Sequence, residues 1–299
     1  MNTPIVIVGD SILGGRNSCK LQTSSDELYL RGFNTVSGNN PTDSARTSQG
    51  AGEIIAAVSG CVEVIEKVVS VKGRQPRYLA EIGDVVIGRI TEISGNKWLV
   101  DLNSTHDGIM LLSNVAEPGG ILRRRGRSDE LSMHQLFDQN DLVVAEVQRI
   151  SPDGVIFLHT RAAEKYGKLT SLGHLVSVPP FFIRRAKHQF LELPDYNTQL
   201  IVGMNGNIWV SQMTKNANNK SLEDHSQDDV DVRLNVARVA NCVKVLGISG
   251  IKIYFKSVES IVNRSKAIGF SPYDILLLKN REALISEVYD IIGTKRLRT

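Results

Sequence analysis

The stretch that decides the fold runs from residue 81 to residue 161 and opens with Asp84-Val85-Val86-Ile87-Gly88-Arg89-Ile90-Thr91-Glu92-Ile93. This run is rich in β-branched residues and is followed by Ser94-Gly95-Asn96, so it predicts a strand that ends in a turn. Apolar and polar residues then alternate from Trp98 to Asn103, which predicts a second strand. Three further runs complete the set of strands: 109–112, 142–150 and 155–159. Five short strands within about 80 residues predict a small closed β-barrel.

Basic and aromatic residues accompany these strands. Arginine binds phosphate in bidentate fashion and tryptophan can stack on a base, so both suit single-stranded RNA. Trp98 could instead be a core residue of the barrel, because it alternates with Val100 and Leu102. The arginine run 123–127 could instead be a solvated loop or an anchor for an acidic neighbouring subunit. The candidate RNA-binding residues are Lys97, Trp98, Arg123, Arg124, Arg125, Arg127 and Arg149.

Motifs along the chain resemble those of one protein family. The barrel with its arginine-rich loop resembles an S1-type OB-fold domain. Three more motifs complete the pattern: Gly9-Asp10 near the start, His159-Thr160-Arg161 at the end of the last barrel strand, and Gly203-Met204-Asn205-Gly206 further on. Together they resemble the S1/KH cap subunits of the RNA exosome, from Gly9 to Trp209.

This resemblance implies a multi-domain fold with a mainly β N-terminal half. A small β domain would cover residues 1–78, and the S1-type OB-fold barrel residues 79–163. An α+β KH-type domain would follow at 164–299, with a polar insertion near 214–231. Apolar residues recur at helical spacing from Val232 to Leu246, and Gly247 is the expected end of that helix.

The resemblance also implies roles for two sets of residues. In the cap family the N-terminal domain contacts a ring of RNase PH-like subunits, which here would involve Gly9, Asp10, Arg31 and Gly32. This chain departs from the family pattern at Phe33 and Asn34. In an ordinary KH domain, Gly-x-x-Gly joins two helices and clamps the nucleotide backbone. Gly203, Met204, Asn205 and Gly206 lie between strand-forming runs, so we expect a structural hairpin.

The function implied by the resemblance is that of a non-catalytic subunit. With other cap subunits it would stabilise the ring of a hetero-oligomer and guide the 3′ ends of single-stranded RNA toward 3′-to-5′ exoribonucleases. The implied location is the nucleus and nucleolus, and also the cytoplasm.

Two other functions stay open. A free-standing S1-type regulator of translation could carry the same barrel, although a solitary RNA binder would not need the N-terminal domain and the hairpin. A metal-dependent ribonuclease could hold its ions with acidic residues such as Asp228 and Asp229. That polar stretch, however, has no apolar scaffold to fix carboxylate geometry and is more typical of a linker.

Composition narrows the remaining possibilities. The 299 residues are 41% hydrophobic and 22% charged, which is ordinary for a folded chain of several modules. A formal net charge of +3 means that any affinity for nucleic acid must come from local clusters. The three cysteines and six histidines have no metal-ligand spacing, and no phosphate loop or nucleophile elbow is present. We therefore expect no catalytic residue, metal or cofactor. Because no run approaches the ~20 apolar residues of a membrane-spanning helix, we also expect no membrane partner.

Overall fold

The structure is a computed structural model that describes residues 4–13, 29–38, 54–73, 77–115, 126–161, 165–169, 173–186, 188–213 and 227–285. The chain divides into two compact units, Met1–Pro76 and Arg77–Thr299. The predicted barrel and the predicted KH-type region both lie in the second unit.

The first unit contains two small sheets. The four-stranded sheet has the order β1 (Ile5–Val6), β6 (Gly60–Ile65), β7 (Val68–Gly73), β3 (Leu30–Arg31). The three-stranded sheet has the order β2 (Ser11–Leu13), β5 (Ile54–Ala56), β4 (Thr35–Ser37). Only β3 and β7 run parallel among these pairs of described strands. Short apolar side chains fill the core: Val6, Ile12, Ile54, Ala56, Val62, Val69 and Val71. The prediction of a β-rich N-terminal region is confirmed.

The second unit begins with a closed barrel. Its strands are β8 (Val85–Ser94), β9 (Lys97–Asp101), β10 (Gly108–Leu111), β11 (Leu142–Ile150) and β12 (Ile156–His159). β8 pairs with β9 and β11, and β9 pairs with β10. β12 pairs in parallel with β10 and antiparallel with β11, which closes the barrel. Two short helices, α1 (Arg127–Leu131) and α2 (Met133–Leu136), connect β10 to β11. The predicted S1-type barrel is confirmed.

The KH-type region is a four-stranded antiparallel sheet covered by helices. Its strands have the order β14 (Gly173–Ser177), β17 (Asn207–Gln212), β16 (Thr198–Val202), β15 (Phe190–Leu193), while β13 (Gly167–Lys168) adds to β11 of the barrel. The helices are α3 (Gln227–Ile248) and α4 (Phe255–Ile268), with a further helical stretch at 278–285. None of the described helices is long and apolar enough to cross a membrane.

Side-chain alternation gives this sheet two buried faces. Leu200 and Val210 belong to the large core that the helices share. Ile201 and Trp209 point the other way and pack with Ile87 of the barrel. The sheet is therefore sandwiched between its own helices and the barrel, because successive residues of a strand face opposite sides.

The ends of α3 differ from the sequence prediction. The helix begins at Gln227, inside the stretch 214–231 that was expected to be a polar linker, and it runs past Gly247. Its last residue is Ile248, and Gly250, two residues further on, has a φ of 73°. The Gly250 N–H donates to the Gly247 carbonyl and the Ile251 N–H to the Leu246 carbonyl, which together form a Schellman cap. Gly247 lies inside the helix, where a β-carbon would lie 2.5 Å from Cγ1 of Val178, so the close approach of that side chain favours glycine there.

Candidate nucleic-acid interface

The outward face of the barrel carries one row of paired residues that crosses five strands. In order they are Glu92 on β8, Leu99 on β9, Ile109 on β10, Phe157 on β12 and Arg149 on β11. Leu99, Ile109 and Phe157 each lie between two buried neighbours on their strands, so alternation directs these three side chains outward. Glu92 and Arg149 are themselves exposed. We call this set the barrel row.

Arg149 and Phe157 form the centre of the candidate interface. The guanidinium carbon of Arg149 lies 3.9 Å from the centroid of the Phe157 ring, which is a cation–π contact. Arg149 is exposed and Phe157 is half-buried, so both remain accessible. In such a pair the aromatic ring can stack on an unpaired base, and the guanidinium can bind the adjacent phosphate.

A β-bulge creates this contact. Val147 pairs with Leu158, and regular antiparallel pairing would then place Gln148 opposite Phe157. The register instead shifts between Val147 and Arg149, so that Arg149 lies opposite Phe157. The extra residue in β11 thus directs the arginine toward the aromatic ring.

The turn that precedes β12 lies beside a histidine. Gly154, in the turn before β12, has a φ of 83°, and a β-carbon there would lie 2.9 Å from the exposed imidazole of His106. The turn and the loop that carries His106 therefore lie against each other. This arrangement places an imidazole at the edge of the barrel where the chain enters β12.

The predicted residues of β9 point to opposite sides. Lys97 faces outward, two residues along the strand from Leu99, and pairs with Leu111. Trp98 is fully buried, its ring packs edge-on against Phe137 at 5.4 Å, and its Nε1–H donates to the Phe137 carbonyl. The prediction that Trp98 binds RNA is therefore wrong, since the ring belongs to the barrel core and its one polar hydrogen is already paired.

The arginine loop is only partly described. Arg127 is the exposed first residue of α1. Arg123, Arg124 and Arg125 lie outside the described residues, so their role in RNA binding stays a prediction. In the described part of the chain Lys97 and Arg149 both lie on the outer surface of the barrel, and Arg149 contacts Phe157, which the sequence analysis did not select.

All four residues of the Gly203-Met204-Asn205-Gly206 turn are buried. The turn joins β16 to β17 and presses against β8 of the barrel. The Met204 N–H donates to the Val85 carbonyl at 2.8 Å. The Asn205 amide donates to the carbonyls of Ile87 and Leu102 at 2.8 and 3.1 Å, and its oxygen accepts from the Ile87 N–H. These bonds couple the sheet to the barrel and leave no exposed surface for a nucleotide clamp.

Neighbouring residues complete this joint. The Asn207 amide donates to the Ile87 carbonyl, and its oxygen accepts from Ser177 and Asn103. Gly206 has a φ of 94°, and a β-carbon there would overlap the Val178 carbonyl oxygen. The glycine is therefore required both by the left-handed backbone and by the close approach of a second chain segment.

An ionic cluster adds a second connection between barrel and KH-type region. The Tyr78 hydroxyl donates to Asp84 at 2.8 Å, and Arg185 forms ion pairs with Asp84 and Glu81. Burial, together with the charge of Asp84, raises the pKa of Tyr78 well above its usual value. The phenol therefore stays protonated and serves as a hydrogen-bond donor.

The predicted ring-contact residues of the first unit have mixed environments. Gly9 lies in an exposed turn with a φ of 91°, and the Asp10 carboxylate accepts from the Ile7 N–H across that turn. Arg31 is exposed on β3. Gly32 is instead close-packed, since a β-carbon there would lie 2.7 Å from the Val69 carbonyl oxygen.

The same unit exposes many large apolar side chains. The most exposed among its described residues are Ile5 (77%), Ile7, Val8, Leu30, Phe33 (60%), Val36 and Ile65. Sequence analysis missed them because short strands with apolar residues on both faces predict burial rather than an exposed surface. Apolar exposure on this scale is characteristic of protein-binding surfaces.

Comparisons with known proteins agree with this architecture. Residues 77–149 match the family model of the RRP4 S1 domain, and residues 173–216 match that of a KH domain. The exosome complex component RRP4 homolog of Arabidopsis thaliana is 32% identical over 286 residues, which cover 91% of this chain and 82% of that protein. The chain belongs to the exosome complex component RRP4 family.

Other members of the RRP4 family are equally similar. The exosome complex component RRP4 of Bos taurus is 36% identical and is covered over 79% of its length, by 85% of this chain. That of Saccharomyces cerevisiae is 33% identical, with 92% of this chain and 82% of that protein covered. A crystal structure of a protein assigned as an exosome complex RNA-binding protein has a TM-score of 0.44 at 19% identity, with 64% of this chain and 99% of that chain covered.

Proposed function

We propose that this chain is a non-catalytic RNA-binding cap subunit of an exosome. It stabilises a ring of RNase PH-like subunits together with other caps, and it guides RNA 3′ ends toward exoribonucleases held elsewhere in the complex. Membership of the RRP4 family supports the place in an exosome. Guidance and ring stabilisation rest on the surfaces described above.

One observation carries the RNA-binding role, namely the stacked pair of Arg149 and Phe157 on the barrel row. OB-type barrels bind oligonucleotides on the face to which the second and third strands contribute, and Leu99 and Ile109 of β9 and β10 lie in that face. An aromatic ring supplies stacking that is tolerant of sequence, which suits a subunit that handles many RNAs. Guidance then requires only modest affinity.

The scaffolding role is supported by the first unit. Its exposed apolar residues, among them Ile5 and Phe33, cost free energy in water, and a partner that covers them offsets that cost. The exposed turn at Gly9 and Asp10 and the exposed Arg31 provide polar groups for the same interface. We infer that this unit binds the ring while the second unit handles RNA.

The proposal includes no catalytic step. Among the described residues, no group of three or more His, Cys, Asp or Glu side chains has the arrangement to hold a metal ion. The predicted location in the nucleus, nucleolus and cytoplasm, and the guidance role of Arg123, Arg124, Arg125 and Arg127, are part of the same proposal.

Purification of the tagged chain from its native cells tests this function. We expect stoichiometric co-purification with ring subunits and no ribonuclease activity of the isolated chain, with or without Mg²⁺. A chain recovered free of any ring would support the translational regulator instead. Activity that survives purification and is lost in an Asp228→Asn/Asp229→Asn variant would establish a ribonuclease.

A quadruple alanine variant of Arg123, Arg124, Arg125 and Arg127 separates the two roles of the loop. If the variant binds every RNA sequence more weakly but still co-purifies with the ring, the loop guides RNA, because phosphate contacts carry no base information. Release from the ring with unchanged RNA affinity indicates an anchor.

A further inference from the structure

A cavity in the KH-type region lies apart from the barrel row. It has a volume of about 270 Å³ and opens between the edge strand β15 and the segment that leads into α4. The buried side chains of Val202, Met204 and Ile253 line it with apolar surface. Tyr254 and Phe255 contribute aromatic rings. The cavity is therefore apolar, partly aromatic and open to solvent at the end of the sheet.

An arginine lines the cavity, and two lysines lie next to lining residues in the sequence. Arg184 lines the cavity, is exposed, and has its guanidinium carbon 5.6 Å from the centroid of the Tyr254 ring. The neighbouring Arg185 is already paired with Glu81 and Asp84, so Arg184 is the arginine of this pair that can bind an incoming anion. Lys252 and Lys256 are exposed and flank the lining segment. No carboxylate is among the described residues that line the cavity.

We propose that this cavity binds one unpaired base of a single-stranded RNA. The base would stack against Tyr254, and Arg184 would bind the adjoining phosphate, which is the combination of aromatic platform and cation typical of single-strand sites. The volume lies just below the range of pockets for drug-sized ligands, as expected for a single ring system. A protein partner would need a far larger surface than this cavity provides.

The Gly203-Met204-Asn205-Gly206 turn also connects this cavity to the barrel. Met204 lines the cavity, while the next residue, Asn205, is bonded to the barrel. The base site is thereby held in a fixed position relative to the barrel row.

This inference shares with the proposed function only the identity of the ligand as single-stranded RNA. The test compares Tyr254→Ala with Tyr273→Ala, because Tyr273 is a highly exposed tyrosine that does not line the cavity. It also compares Arg184→Ala with Arg233→Ala, another exposed arginine of the second unit. The full chain is titrated with a fluorescent oligouridylate and with an abasic phosphodiester of the same length.

We expect Tyr254→Ala to weaken binding of the oligouridylate about fivefold or more, the change that loss of one stacked base produces. The same variant should leave binding of the abasic strand unchanged, whereas Arg184→Ala should weaken both. The two control variants should bind like the parent chain. Photo-crosslinking with 4-thiouridine in the oligonucleotide should label the peptide that carries Tyr254.

The outcomes separate this proposal from the proposed function. If Phe157→Ala weakens RNA binding and Tyr254→Ala does not, and the crosslinks map to the barrel alone, the base site is rejected while RNA binding by the barrel stands. If Tyr254→Ala and Tyr273→Ala have equal effects, the site is rejected as well. Absence of any RNA binding by the parent chain rejects both proposals. An acidic peptide that occupies the cavity, where RNA does not, rejects the base site alone.

Discussion

The barrel row and the Gly203–Gly206 turn differ in how sequence motif and accessibility are related. The turn has the Gly-x-x-Gly spacing of a KH clamp, yet all four residues are buried against the barrel. Phe157 and Arg149 belong to no motif, yet they present a ring and a cation on an accessible face. The difference follows from what flanks each site. Two strands close the turn into a hairpin, whereas a bulge brings the arginine onto the aromatic ring.

The largest expected effect comes from Gly206→Ala. The added β-carbon overlaps the Val178 carbonyl oxygen at a φ of 94°, so we expect the free energy of unfolding to fall by on the order of 3–4 kcal/mol. Gly83→Ala is the matched control, because φ is 88° there and nothing lies within 4 Å. It should cost only about 1 kcal/mol. Equal losses in urea unfolding of the two variants would show that the turn is not tightly packed.

Asn205→Ala should cause the next largest loss in the free energy of unfolding. It removes the hydrogen bonds to Ile87 and Leu102 and leaves buried backbone groups with fewer partners, at a cost of about 2–3 kcal/mol. Asn114→Ala is the control, since that amide donates to the exposed Gln148, and its loss should cost under about 0.5 kcal/mol. If Asn205→Ala unfolds like the parent chain but no longer binds RNA, the turn is a clamp after all.

Arg149→Ala tests the barrel row instead of the turn. We expect RNA affinity to fall by about 1 kcal/mol and the slope of log K against log salt to lose about one unit, with stability unchanged. Arg233→Ala removes another exposed arginine, from α3, and should change neither value. A salt titration of both variants, monitored by fluorescence anisotropy, makes the measurement. An unaltered slope for Arg149→Ala would mean that this arginine does not contact phosphate.

The smallest effect on stability should come from Asp141→Asn, at the place where β11 meets β13. Burial acts to raise the pKa of the Asp141 carboxyl, but hydrogen bonds from Lys168 and from the Asp138 N–H outweigh burial and keep the pKa below 3.8. A lowered folded pKa contributes stability above the unfolded value that is lost as the pH falls through the folded value. The free energy of unfolding of the parent chain should therefore exceed that of Asp141→Asn by under about 1 kcal/mol at neutral pH, and this difference should disappear in acid. A difference that grows below pH 4 would contradict this sign.

The sequence predicted the elements that local pattern controls. β-branched runs and alternation identified the five strands of the barrel, and Ser94-Gly95-Asn96 identified one of its turns. The strand-forming flanks of Gly203 and Gly206 predicted a hairpin. In each case neighbouring residues determine the outcome, so one sequence is sufficient.

The errors concern features that distant contacts decide. Alternation places Trp98 on a face with Val100 but does not reveal that Phe137, far along the chain, accepts its indole hydrogen. The bulge that pairs Arg149 with Phe157 has no signature in the composition of β11. The start of α3 was missed because acidic residues are typical both of linkers and of the first turn of a helix.

The central claim is that RNA binds the barrel row, and Phe157→Ala tests it most directly beside Phe33→Ala. Both substitutions remove an accessible ring, one from the barrel and one from the first unit. Affinity for single-stranded RNA should fall about tenfold in Phe157→Ala, with the thermal midpoint little changed, because one stacking contact is lost. Phe33→Ala should bind RNA like the parent chain and lose ring subunits on co-purification. Undiminished RNA affinity in a folded Phe157→Ala variant would contradict the account.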